Sequence, residues 1–182
     1  MSIIEDILKH NAKFVEKGEY KAFISNKFPN KKLAILSCMD TRLTELIPAA
    51  MNIKNGDVKI IKNAGAVVSH PFGSVMRSLL VAVYELGVDS IMVLGHTGCG
   101  MQNLNTDKMI EKMLQRGISK EKIDMLKHCN IDVNNWLKGF DNVEDSVRST
   151  ANIIREHILM PKDIKVYSFI IDINTGKLME IV

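Results

Sequence analysis

Two short apolar runs, Leu33-Ala-Ile-Leu-Ser37 and Ser90-Ile-Met-Val-Leu94, constrain this chain more than any other feature. A strand wetted on one side alternates apolar and polar residues. A run with no polar face is buried on both sides, as in a parallel sheet covered by helices. Val58 to Ile61 is a further β-rich run, preceded by an Asn55-Gly56-Asp57 turn. Between it and Ser90 lies the clearest helical pattern, residues 73–86. There Met76, Leu79, Leu80 and Val83 form an i, i+3, i+4, i+7 stripe, and Gly87 is a stop signal. Val75, Val81, Ala82 and Tyr84 add a second apolar face, which predicts burial by the sheet and by something else, such as a second copy of the chain.

Other helices are expected at 3–16, 42–51, 106–116, 119–128 and 143–158. Residues 164–173 read as a strand, followed by an Asn174-Thr175-Gly176 turn and a short returning strand over 177–182. Strands alternating with helices predict an α/β fold: a mostly parallel central β-sheet flanked by helices. Residues 1–28 are expected to be an N-terminal helical arm on a single domain spanning 1–182, in keeping with a chain of 182 residues.

Composition narrows the function classes. Apolar residues make up 46% and charged residues 25%, which excludes a disordered chain or a disulfide-dense miniprotein. A net charge of +3 is too mild to call for nucleic acid or a membrane surface. No apolar run approaches the roughly 18–20 residues needed to cross a bilayer. The first residues carry acids where a signal peptide needs basic charge, so no targeting segment is expected. The three cysteines, Cys38, Cys99 and Cys129, are odd in number and widely spaced. That argues against a secreted disulfide framework and for a reducing compartment, with the cytoplasm as the default.

Two motifs leave the ends of β-rich runs, where open α/β sheets carry their functional residues. The first is Ser37-Cys38-Met39-Asp40-Thr41-Arg42; the second is Gly95-His96-Thr97-Gly98-Cys99-Gly100. Zinc favours thiolate and imidazole ligands in a tetrahedral shell. His96 and Cys99 are three apart in a glycine-bearing turn, and Cys38 supplies a third donor from a neighbouring strand. Three protein ligands leave the fourth position open, the mark of a catalytic rather than a structural site. In an extended segment Cys38, Asp40 and Arg42 project to one side, which puts Asp40 beside the metal with Arg42 clamping it. Taken one at a time, each of these cysteines and His96 reads as a packed core residue; together with the Asp–Arg pair they read as a site.

Cys38-Met-Asp-Thr-Arg42, His96-Thr-Gly-Cys99-Gly and the intervening Lys62-Asn-Ala-Gly65 resemble the β-class carbonic anhydrases, in order over roughly residues 30–105. A weaker similarity includes Asp172-x-Asn-Thr-Gly176. The resemblance implies a zinc lyase that interconverts carbon dioxide and bicarbonate and works as a homodimer or larger assembly. It implies Cys38, His96 and Cys99 as zinc ligands and Asp40 and Arg42 as the catalytic dyad. Family members often carry Arg where Lys62 stands. The following Ala66-Val-Val-Ser-His70-Pro segment is poor in polar residues, which speaks against a second, regulatory bicarbonate pocket.

The expected chemistry is attack on carbon dioxide by a zinc-held hydroxide that Asp40 orients. Two thiolates cancel the charge of the ion, so the water acidifies less than in a three-histidine site, where its pKa is about 7. Activity is therefore expected to rise on the alkaline side of neutrality. If the Asp40–Arg42 pair breaks, Asp40 itself becomes a fourth ligand and closes the site. Relatives that hydrolyse carbon disulfide or carbonyl sulfide share these ligands, so the motif leaves the substrate open. A non-catalytic zinc or bicarbonate-binding module is a further alternative, and other thiophilic ions suit the same donors.

Elsewhere, Cys129 reads as a packed or half-exposed thiol, and His10, His128 and His157 as surface or helix-face residues. His70 is a candidate proton shuttle. The lysine-rich stretch over 106–128 reads as a solvated face.

Overall fold

The five strands of the described residues lie in one sheet in the order β2-β1-β3-β4-β5: β1 Leu33–Cys38, β2 Val58–Asn63, β3 Ser90–His96, β4 Lys165–Ile171 and β5 Leu178–Glu180. The computed structural model describes residues 2–182. The first four strands run parallel, and β5 returns antiparallel on β4. The central position of β1 explains its composition. It is hydrogen-bonded on both sides, and Ala34 to Cys38 are all buried. β2 lies at an edge and carries exposed residues at Ile60 and Lys62.

Seven α-helices cover or extend this sheet among the described residues: α1 Ile3–Glu16, α2 Leu43–Ala50, α3 Ser74–Leu86, α4 Thr106–Gln115, α5 Lys120–His128, α6 Val133–Leu137 and α7 Val143–Arg155. Successive strand residues point to opposite faces, so the core is split in two. On one face Ala34, Leu36, Ile91 and Val93 meet Met76, Leu79 and Ala82 of α3 and Val147, Ala151 and Ile154 of α7. On the other, Ile35, Leu94 and Ile171 meet Leu43 and Ile47 of α2. That second face is covered by a single eight-residue helix, and Tyr167 on it stays 39% exposed.

The doubly apolar α3 buries one stripe against the sheet. On its outer side Val81 and Tyr84 are exposed, and the Tyr84 hydroxyl donates to Leu159 O at 2.9 Å. α1 is amphipathic, closed by a Ser2/Glu5 capping box, and buries none of its residues. Ile3, Ile4, Ile7 and Leu8 all face solvent.

Three features depart from the sequence expectations. α6 has no counterpart there: its five residues are too few to show a period, although Asp132 caps it by accepting from the Asn135 amide at 3.1 Å. α7 ends at Arg155 rather than 158. The chain then turns, and His157 is buried instead of lying on a helix surface; its ring meets Phe72 edge-on at 5.2 Å, and Nδ1 accepts from the Leu159 amide. Among the described residues no helix is long and apolar enough to cross a membrane.

Candidate metal centre

β1 and β3 are adjacent and parallel, so their carboxyl ends open on the same edge of the sheet. Cys38 is the last residue of β1 and His96 the last of β3. The turn after His96 brings Cys99 back beside them. All three side chains are buried, and their donor atoms lie within 4.8 Å of one another. The two sulfurs are 3.9 Å apart. Two thiolates each about 2.3 Å from a tetrahedral ion lie about 3.8 Å apart, so the spacing fits one zinc.

The imidazole is set for the same task. His96 Nδ1 lies 2.9 Å from Thr97 O and donates to it, which leaves the Nε2 lone pair free. Nε2 is buried and has no hydrogen-bond partner. An orphaned acceptor between two thiols is the arrangement a soft cation completes. Burial, the largest influence, pushes both thiols up. At Cys38 it is outweighed by the adjoining His96 ring and the hydrogen bond from the Gly65 amide, so Cys38 ionises before Cys99.

The Gly65 contact depends on local backbone. The Asn63 side chain grips Val67 from both sides, with Nδ2 donating to Val67 O at 2.6 Å and Oδ1 accepting from Val67 N at 3.2 Å. This loop closes only with Gly65 at φ +86, a left-handed conformation that side chains disfavour. Its amide then points at Cys38 Sγ, 3.4 Å away.

Asp40 and Arg42 meet, but not in an extended segment. β1 ends at Cys38, and Asp40 Oδ1 accepts the Arg42 backbone amide at 2.9 Å, an Asx turn that starts α2. The turn folds the guanidinium back on the carboxylate: Nε donates to Oδ1 at 2.9 Å and Nη2 to Oδ2 at 2.6 Å. Arg42 Nη2 also donates to Gly98 O at 3.0 Å, across the mouth of the site. The Arg42 hydrogen bonds hold the Asp40 carboxyl well below the usual carboxylate range. Asp40 Oδ2 lies 4.0 Å from His96 Nε2, next to the three donors and outside their triangle.

A cleft of about 460 Å³ opens over the donors, walled by Met39, Asp40, Thr41, Arg42, Ala64 and Met101. Its apolar walls and single carboxylate suit a small, weakly polar molecule beside a charged pair. A larger groove of about 680 Å³ between α6 and α7 shares only the Met101 wall and contains none of the donors. His70 is exposed and lies outside the cleft lining; its Nδ1 accepts from the Phe72 amide. Cys129 is exposed at the end of α5, apart from the donor group. Gly65, Thr97 and Gly98 contribute through backbone atoms, which side-chain types do not mark; Asn63-Ala-Gly65 is the one visible signal of the first.

Residues 33–178 match the family model described as carbonic anhydrase. The chain is 53% identical to the Bacillus subtilis protein YtiB over 178 residues, covering 98% of this chain and 95% of that one. It superposes on the crystal structure of a β-carbonic anhydrase from Trichomonas vaginalis with a TM-score of 0.90 and 34% identity, covering 100% of this chain and 98% of that one. It is also 26% identical over 157 residues to a carbon disulfide hydrolase of Acidithiobacillus thiooxidans, covering 82% of this chain and 76% of the other.

Proposed function

The chain belongs to the β-class carbonic anhydrase family, and from that premise we propose that it catalyses the reversible hydration of carbon dioxide to bicarbonate and a proton. Cys38, His96 and Cys99 would hold zinc, whose Lewis acidity generates a nucleophile from water near neutral pH. Asp40 and Arg42 are the catalytic dyad. The observation that carries the reading is the bidentate Asp40–Arg42 pair with Oδ2 4.0 Å from His96 Nε2. A charged pair of this kind serves no packing purpose at the mouth of a cleft.

The roles follow from the geometry. Asp40 Oδ2 accepts a hydrogen bond from the attacking water and turns its lone pair toward carbon dioxide. Arg42 keeps that carboxylate ionised and, anchored by Gly98 O, holds it away from the three donors. Met39, Ala64 and Met101 supply the apolar wall against which an uncharged linear substrate rests. A pure binding module has no evident need of Arg42, which counts against that alternative.

The unit is one domain over residues 1–182, with 1–28 as an arm, and it acts as a homodimer. The unburied apolar side of α1 and the thinly covered α2 face of the sheet both support a second copy. Ionisable paired thiols favour a reducing location, the cytoplasm.

Stopped-flow carbon dioxide hydration by the zinc-loaded protein tests the proposal, run beside carbon disulfide and carbonyl sulfide hydrolysis. Turnover of carbon dioxide, rising between about pH 6 and 9, is the expected result. Hydrolysis of carbon disulfide or carbonyl sulfide in its place would assign the site to the chemistry that the Acidithiobacillus thiooxidans relative is named for. A flat pH profile would overturn the acid–base scheme.

A further inference from the structure

The turn between β4 and β5 reaches the imidazole of His96 through a single residue, Thr97. The Thr97 carbonyl receives the His96 Nδ1 proton at 2.9 Å. The Thr97 amide donates to Ile171 O at 3.1 Å, at the end of β4. Its hydroxyl oxygen accepts from the Ile173 amide, also at 3.1 Å. The Asp172 carboxylate follows directly on Ile171, the residue that accepts the Thr97 amide. Asp172 Oδ1 in turn gathers the Asn174 amide at 2.9 Å, the Thr175 amide at 2.8 Å and the Thr175 hydroxyl at 2.9 Å. The turn is itself wedged against α2: a Cβ at Gly176 would stand 3.1 Å from Ala50 Cβ.

The next carbonyl along the loop, Gly98 O, seats the Arg42 guanidinium. Successive carbonyls of one loop therefore orient a proposed zinc ligand and the proposed dyad. The end of β4 and the turn after it hold this loop from behind through the Thr97 amide and hydroxyl. The turn is exposed, tied by three hydrogen bonds to one carboxylate, and lies far along the chain from the cysteine motifs.

We infer that Thr97 and Asp172 are positioning residues: they lock the loop whose Thr97 carbonyl fixes the tautomer and ring direction of His96 and whose Gly98 carbonyl fixes Arg42. The inference rests on reading Cys38, His96 and Cys99 as the zinc site. Groups behind a metal-bound histidine typically change metal affinity about 10–100-fold when removed.

The test is zinc retention by the holoprotein against a competing chelator, below the melting temperature of every variant. Thr97→Val keeps the branched shape and loses the hydroxyl; Thr97→Ser keeps the hydroxyl. Thr97→Val is expected to weaken zinc binding about 10–100-fold, with Thr97→Ser close to the unmodified protein. Asp172→Asn, which retains an acceptor oxygen and drops the charge, is expected to fall between them and replaces Thr97→Val if that variant does not fold. Equal zinc retention in Thr97→Val and the unmodified protein overturns the clamp, as does equal loss in Thr97→Ser and Thr97→Val. An unmodified protein that holds no zinc sensitive to Cys38→Ser overturns the metal centre and the clamp with it.

Discussion

Asp40 answers to two neighbours at once: Arg42, which grips both of its oxygens, and the donor triangle, which lies 4.0 Å from one of them. Asp40→Asn keeps the shape and removes the charge. Turnover is expected to fall by about 10²–10⁴-fold, the usual weight of a group that manages a proton. One zinc per chain is expected to remain, because Asp40 is not one of the three donors. Stopped-flow rates beside metal analysis check both halves. Arg42→Gln tests the pair from the other side. Because Arg42 lowers the Asp40 pKa, its stabilisation is fully present above the ordinary carboxylate value of about 3.9 and is lost as pH falls below it. The melting-temperature gap between Arg42→Gln and the unmodified protein should thus stay constant at neutral pH and close in acid, as thermal scans at stepped pH would record. At this scale the sequence was legible where chemistry sits in side chains. Cys38, His96 and Cys99 are rare residue types at strand ends, and the structure gathers them. Asp40 and Arg42 were expected to meet along an extended segment and meet through an Asx turn instead, because a short carboxylate competes for the backbone two residues ahead. Thr97 O and Gly98 O contribute backbone atoms, and no residue type announces those; for Gly65 N the Asn63-Ala-Gly65 motif does.

The elements carry the site by close approach. Gly95, one residue before His96, lets α7 settle directly on β3: a Cβ there would stand 2.6 Å from Val147 Cγ2 and 3.0 Å from Val143 Cγ2. Gly95→Ala should therefore cost about 1–3 kcal/mol through overpacking. Adding Val147→Ala should return part of that, a coupling that chemical denaturation of the single and double variants would measure. Periodicity found the β1, β3, α3 and α7 cores because each presents several apolar residues to one partner. It passed over α6, which is shorter than two turns. It also ran α7 on to residue 158, since nothing in Arg155-Glu156-His157 marks a stop that local pattern can read.

At the scale of the whole molecule the arm stands apart. α1 is a well-capped helix with an apolar side and no buried residue, and a helix of 14 residues is marginal alone in water. Deleting residues 1–28 is expected to shift the protein from dimer to monomer in sedimentation velocity, and to lower its melting temperature, while the Cys38, His96 and Cys99 geometry survives in the sheet. The two margins of that sheet are also unequal. At one of them lies β5, the three residues Leu178 to the polar Glu180, paired with Phe169–Ile171, a strand too short to template another. β2 leaves the other margin open over six residues. The longer free edge for strand addition is therefore β2. Two copies that joined at β2 would each turn the short β5 outward, a poor template, which favours a closed pair over a fibre.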